Sequence, residues 1–362
     1  MRTGFLARFL LRSSRQSQIS HSFSGSKMII HQTVVFLYNK SMSKMYLFLL
    51  SHESQPVSSL RLNLKPYFCL MKKILLVTSL IIGQFAFSQQ TDFLKIKKYR
   101  VSYLDHKIEE TSGLSMFNGK LYTFNDSGNA PELFEISKTS GEILHTLKVN
   151  AKNTDWEALT NDGTHFYIGD FGNNDGSRRH LKIFKVPVQN DSLQNSSLKE
   201  ILFHYPEQTD YISSYYNTDF DAEAMVYAHG KIHLFTKEWA AKATTHYTIE
   251  PEVYEKQGAV KTESYKTNFM VTDAAYFDKK LYLVGYTKKT EVFLDVFTET
   301  EPGVFFKERP RHYYLGSATA IGQIEGIAVD ESGIYLSGEK FRYSVVRTKQ
   351  AFYFIPKEKL KD

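Results

Sequence analysis

One short pattern recurs five times along the chain and decides most of what it can fold into. A small apolar run with an acidic or hydroxyl residue near its start leads into a turn and a second apolar run. The copies are Thr111-Ser112-Gly113-Leu114, Asp155-Trp156-Glu157-Ala158-Leu159, Asp221-Ala222-Glu223-Ala224-Met225, Val271-Thr272-Asp273-Ala274-Ala275 and Gln323-Ile324-Glu325-Gly326-Ile327. Aligned this way, one column reads Ser112, Glu157, Glu223, Asp273, Glu325, with spacings of 45, 66, 50 and 52 residues. Periods in that range belong to arrays of supersecondary units, each too small to bury its own apolar face.

Between the copies lie short runs rich in Tyr, Phe, Val and Ile, broken by Asn-Gly, Asp-Gly, Ser-Gly and Lys-Lys turns, which is the punctuation of an all-β chain. The first unit divides into four strands, Gly113 to Phe117, Lys120 to Phe124, Glu132 to Ile136 and Ile143 to Val149, and the next three repeat this meander. The polar stretch Gln208 to Asn217 reads as an insertion that explains the spacing of 66. The fifth unit has only three strands before the chain stops, while Leu94 to Tyr103 is a strand-like run without a unit of its own. Pairing the two closes a ring and removes the exposed edge. The expected fold is therefore a five-bladed β-propeller whose ring is closed by an N-terminal strand. Six blades is the alternative by length, but no sixth copy of the column residue occurs.

The N-terminal region reads differently. Met71-Lys72-Lys73, an apolar stretch from Ile74 to Phe85, and the small residues of Ala86-Phe87-Ser88 have the order of a secretory signal peptide. Residues 1–70 then read as a mis-assigned start upstream of Met71, residues 71–88 as the signal, and residues 89–362 as the propeller. Neither that apolar stretch nor Met45 to Leu50 reaches the roughly 20 residues of a spanning helix, so no stable membrane anchor is expected after cleavage. Residues 89–362 hold 34 basic and 38 acidic side chains, so the basic excess lies outside the propeller and gives no reason to expect a nucleic-acid polymer as partner. The single cysteine, Cys69, lies outside it too, which excludes a disulfide or thiol nucleophile from the propeller. An exported protein, periplasmic or extracellular, and a monomer is expected.

In a propeller the first strand of every blade lines the central channel, so the column residues should face one another at one height. At about 6 Å separation and an effective dielectric near 20, each pair of carboxylates would cost roughly 3 kcal/mol. Six such pairs would rival the roughly 5–15 kcal/mol net stability of a domain. Protons, water or a cation must relieve the ring, and an all-oxygen set suits calcium better than zinc. The expected metal ligands are Ser112, Glu157, Glu223, Asp273 and Glu325, with Asp155, Asp221 and Glu110 as supporting or turn residues behind them. Capping of strand ends by these acids is the competing reading.

These residues carry a resemblance. Ser112 to Tyr122, Glu157 ahead of Phe166-Tyr-Ile-Gly169, and Ile324-Glu325-Gly326-Ile327 resemble the calcium-activated nucleotidases, or apyrases, which are five-bladed propellers with an axial calcium. The resemblance implies calcium on Ser112, Glu157, Glu223 and Glu325, with Asp273 where that family tends to have a smaller hydroxyl residue. The loop Asn125-Asp126-Ser127-Gly128-Asn129 stands in place of a more acidic, arginine-bearing one, so nucleotide hydrolysis is implied less directly than calcium. Asp155-Trp156-Glu157 and Gly169-Asp-Phe-Gly-Asn-Asn174 also resemble uncharacterised secreted bacterial propeller proteins.

The second strands end in polar residues that should open at one mouth of the channel, and Asp126, Asp170, Glu238 and Glu339 are the candidate catalytic residues there. Acids and cations beside a metal suit hydrolysis of a small phosphorylated or ester substrate. A non-catalytic propeller that binds a glycan or protein, with structural calcium, is the alternative, and a solvated rim is the plainer reading of the same residues. Trp156 is expected between blades and Trp239 is open to stacking, while His229 and His233 read as surface residues beside a hairpin turn. No Gly-x-Ser-x-Gly elbow, P-loop or dinucleotide fingerprint occurs in residues 89–362.

Overall fold

The computed structural model describes residues 33–39, 44–50, 60–61, 91–343 and 346–360. The chain divides into two compact units at Ser88/Gln89. In the first, Thr33–Asn39, Lys44–Leu50 and Leu60–Arg61 form a three-stranded antiparallel sheet. The signal-peptide reading of residues 71–88 and Cys69 lie outside the described residues.

The second unit is a five-bladed β-propeller. Blade I is Thr111–Phe117, Lys120–Asn125, Glu132–Ile136 and Ile143–Lys148, each strand antiparallel to the next. Blade II is built on Trp156–Asn161, His165–Asp170, Leu181–Gln189 and Lys199–His204; blade III on Ala222–Ala228, Lys231–Thr236, Thr244–Ile249 and Val260–Tyr265. Blade IV comprises Met270–Phe277, Lys280–Tyr286, Glu291–Thr298 and Arg311–Ser317. Blade V takes Gln323–Asp330, Gly333–Glu339 and Ala351–Pro356 from the end of the chain and its outer strand, Arg100–Tyr103, from the beginning. Around that closure Leu104 and Gln350 exchange hydrogen bonds at 3.1 and 3.2 Å. The ring is closed as expected, with five blades and not six.

The strands form because alternate residues face apolar neighbours on both sides. Five clusters of buried residues lie between successive blades, one for each interface, including Leu114, Phe134, Ala328, Tyr335 and Phe352 between blades V and I. A blade is thus covered on both faces, which explains why its middle strands are buried almost throughout. Trp156 has no exposed surface and packs on Phe124 and Phe184, bridging blades I and II. The first hairpin turns on Asn118 and Gly119, with φ of 48° and 77°, a pair of left-handed positions that suits Asn-Gly. The described part of this unit has a single α-helical turn, Ala318–Ile321.

The innermost strands share an irregularity. In each, the pairing with the second strand skips one residue or two: Ser112 and Gly113, Glu157, Glu223, Thr272 and Glu325. Such β-bulges re-aim a side chain at the end of a strand, here toward the axis. The bulge aligns the blades better than the acidic residues do, and it corrects the column in blade IV, where the equivalent residue is Thr272 and not Asp273.

Candidate functional site

A cavity of about 490 Å³ opens at one end of the channel. Its wall includes Ser112, Glu157, Glu223 and Glu325 from the bulges, Asp126 and Glu339 from the ends of second strands, and Asp155. Among the described residues seven carboxylates line it against two cations, Lys237 and Arg178. Six of the nine residues expected from the sequence converge here.

The other three do not. Asp273 is not part of the cavity wall and has no exposed surface; its carboxylate accepts the backbone N–H of Ile327 at 2.7 Å, of Ala274 at 2.8 Å and of Leu114 at 3.1 Å. It ties blades I, IV and V together at the axis, and its oxygens are spent on amides. Asp170 is fully buried and holds the Arg178 guanidinium and the Asp155 N–H, so it positions a cavity cation instead of facing the cavity. Glu238 accepts the hydroxyls of Thr236 and Thr245 at 3.0 and 2.7 Å inside blade III.

The acidic wall is assembled across blades I and II. Asn153 donates its side-chain amide to the carbonyls of Asn125 and Asp126 at 3.0 and 2.9 Å, pinning the blade I loop beside the start of blade II. Asp126, Asp155 and Glu157 then offer one carboxylate oxygen each within 4.8 Å of one another. Gly172 makes room for them, because a Cβ there would stand 2.3 Å from Asp155 Oδ2 and 2.4 Å from Glu157 Oε1. Glu157 is 5% exposed, and its one hydrogen bond among the described residues is a long one, 3.5 Å from the Ser112 hydroxyl to Oε2. Its Oε1 accepts no hydrogen bond among the described residues and lies against Gly172. Burial, then Asp126, Glu223 and Asp155, push the Glu157 carboxyl well above its usual range. Burial and Asp126 push Asp155 up to about 6 against the pull of Arg178. This trio is a place where negative charge is crowded and short of partners.

The other side of the ring carries its own counter-ion. Lys237 Nζ lies 2.5 Å from both oxygens of Glu223, and both side chains are almost fully buried. Burial pulls Lys237 down, but Glu223, with Tyr286 and Glu325 behind it, outweighs burial and holds the ammonium well above its ordinary range. The lysine also lies 4.8 Å above the Trp239 ring and 5.3 Å from that of Tyr286. Glu325 accepts from the Gln323 amide at 2.5 Å. Burial, followed by Glu325 and Asp126, pushes the Glu339 carboxyl well above its usual range against the pull of Lys237.

Several of these roles were hidden in the sequence. Asp155, expected behind the site, is in its wall, although its i,i+2 spacing from Glu157 is a same-face signal. Asp221 does serve as support, accepting the Asn173 N–H at 2.7 Å and the Trp239 indole N–H at 2.9 Å, and Glu110 accepts from the Asn129 amide at 2.7 Å. His233 is buried, 2% exposed and 2.8 Å from His246, and not a surface residue. The insertion expected to be merely polar brings Tyr215 and Tyr216 to the cavity wall.

The fold and site define a five-bladed propeller with an acidic, partly self-neutralised pocket at the mouth of its channel. Neither a protein-family model nor a curated protein matches the chain. Among solved structures it is similar to a hydrazine synthase of Kuenenia stuttgartiensis, at 12% identity and TM-score 0.33 over 67% of this chain and 61% of that one. It thus spans about three fifths of that structure's length. A Bacteroides uniformis protein described as a 6-phosphogluconolactonase gives 13% identity, TM-score 0.31, and 89% and 82% coverage. A Thermus thermophilus protein assigned as an oxidoreductase (glucose dehydrogenase) gives 10%, 0.37, and 73% and 98%.

Proposed function

We propose that the pocket binds a divalent cation, calcium first, on Asp126, Asp155 and Glu157, and hydrolyses a small phosphorylated or ester substrate beside it. The observation that carries this is the trio: three carboxylates gathered within 4.8 Å in a cavity wall, one of them buried with a single long hydrogen bond among the described residues. An all-oxygen donor set with the Ser112 hydroxyl nearby suits a hard cation. Restored by the bulges, the column Ser112, Glu157, Glu223, Thr272, Glu325 has a hydroxyl in blade IV, as the resemblance to calcium-activated nucleotidases implies, which supports calcium. Export, on the reading of residues 71–88, would place even a site of about 10⁻⁴–10⁻³ M affinity where calcium fills it.

When bound, the cation would supply charge stabilisation to a phosphoryl or carbonyl oxygen and acidify a water. The chain's own residues do the rest. Arg178, held by Asp170 and by the Gly172 carbonyl at 3.1 Å, offers its guanidinium to an anionic group. Lys237 keeps Glu223 neutralised so that the far wall does not repel that anion. Glu339, its carboxyl pushed up by burial, is the group that would hand a proton to the leaving oxygen.

Thermal unfolding of the EDTA-stripped protein, followed by calcium titration and a phosphate- and ester-release screen, tests this. Calcium should raise the midpoint, Glu157→Gln should abolish the rise, and Glu339→Gln should remove turnover while leaving the rise intact. A cation effect without turnover would leave a binding protein, and no cation effect in the wild type would refute the site.

A further inference from the structure

The insertion between blades II and III builds an aromatic face onto this pocket. Tyr215 and Tyr216 have ring centroids 4.1 Å apart, and Tyr216 lies 4.3 Å from Trp239. Exposure falls along the row from 65% at Tyr215 to 45% at Tyr216 and 7% at Trp239, so the row runs from open rim to cavity wall. All three line the cavity, and Lys237 sits over the innermost ring.

The row is held in place. The Ser214 N–H donates to Asp175 O at 2.8 Å, the Tyr216 N–H to Asn174 O at 3.0 Å, and the Ser213 hydroxyl to the Asp175 carboxylate at 2.9 Å. Tyr216 takes a left-handed backbone, φ 56°, which a bulky side chain adopts only against strain. Strain of this kind marks a side chain whose direction is determined by its surroundings. Large aromatic surface left in water beside a polar pocket is what a ring-bearing ligand needs, since its apolar face stacks while its polar groups stay wetted.

We infer that this row is a ring-stacking subsite for a phosphorylated carbohydrate, whose sugar lies on Tyr215 and Tyr216 and whose phosphate points to Lys237, Arg178 and the acidic trio's cation. The rings are tilted at 52° and 44° to one another, so they form a one-sided staircase and not a parallel slot. That shape suits the C–H face of a sugar better than a nucleobase sandwiched on both sides. Asn174 and Asp175, whose carbonyls hold the row, also line the cavity. The phosphate half of this inference rests on the proposed function; the stacking half does not.

The chain has two tryptophans, and Trp156 is fully buried, so fluorescence excited at the indole reports binding at Trp239. With calcium present, glycerol 3-phosphate, glucose 6-phosphate, methyl glucoside and AMP are titrated into the wild type and into Tyr216→Asn, a residue that tolerates the left-handed backbone. Tyr215→Ala is the second variant. Glucose 6-phosphate should bind about tenfold more tightly than glycerol 3-phosphate, equivalent to roughly 1.4 kcal/mol. Tyr216→Asn should erase that preference and leave glycerol 3-phosphate unchanged. Equal affinities in the wild type, or a preference indifferent to both variants, would overturn the subsite. AMP binding more tightly than glucose 6-phosphate would overturn the carbohydrate assignment. Methyl glucoside binding that both variants lose, with no phosphate binding, would support the subsite and sink the proposed function; no binding at all would overturn both.

Discussion

Replacing Lys237 by methionine keeps the length and apolar stem of the side chain and removes its charge. In the wild type the ammonium lies 2.5 Å from both oxygens of Glu223, with 5% and 4% side-chain exposure on the two partners. At an effective dielectric near 20 the gross attraction is roughly 6–7 kcal/mol, much of it consumed by taking both charges out of water. Removing one partner leaves the other buried and uncompensated, which costs about 3–5 kcal/mol. For a chain of this size that is a fall of about 6–20 °C in the unfolding midpoint. Burial pushes the Glu223 carboxyl up, and Lys237 is the group that pulls it back down. Without the lysine its folded pKa rises further above the unfolded value, so it stabilises below the unfolded pKa and that stability is lost as pH rises. The deficit of Lys237→Met should therefore be largest near pH 8 and shrink toward pH 5. Adding Glu223→Gln should restore most of the loss, because neither buried charge then remains. Calcium should stabilise Lys237→Met more than the wild type, since the axial carboxylates Glu223 and Glu325 would lack their internal cation. Calorimetry in EDTA at several pH values measures all of this. A midpoint within about 2 °C of wild type at pH 8 would refute the assignment of Lys237 as the counter-ion of the ring.

Three further outcomes follow from the geometry. Gly172→Ala should change the metal-free stability by less than about 1 kcal/mol, because the two carboxylates can swing away, yet weaken calcium binding at least about tenfold; titration calorimetry separates the two effects. Asp273→Asn should cost roughly 1–3 kcal/mol through its lost amide partners and leave the calcium-induced shift intact, as unfolding with and without the ion would show. His233, held neutral by burial and by His246, has its pKa lowered from 6.5 to about 4. Its folded value lies below its unfolded one, so the stability it contributes is present above pH 6.5 and lost as pH falls toward 4. Of this, roughly 2 kcal/mol is lost between pH 7 and pH 4.5, to be read as the difference between wild type and His233→Gln in urea unfolding at the two pH values.

The blade count, most of the strands and the closing strand were legible because a propeller repeats its apolar pattern, and each copy can be read against the others. The acidic column was legible for the same reason, with one exception. Asp273 looked equivalent to the glutamates because residue type suggested the alignment, whereas the bulge places Thr272 there. A bulge is a matter of which backbone groups pair, and nothing in a one-dimensional pattern records it. Asp170 and Glu238 looked catalytic because they end second strands among polar neighbours. Their hydrogen bonds to Arg178, Thr236 and Thr245 show that strand-end acids also serve as internal struts.

The sequence by itself thus determined a ring of five β-sheets with acids at its mouth, since periodicity and turn chemistry are local properties of the chain. Tertiary structure alone decided how those acids divide. One meets a lysine from its own blade, one is consumed by amides of two other blades, and three gather across the junction of blades I and II, where a glycine leaves them room. Partnership among charges depends on distances between blades some tens of residues apart in the chain, and it sets which carboxylates remain free for a ligand.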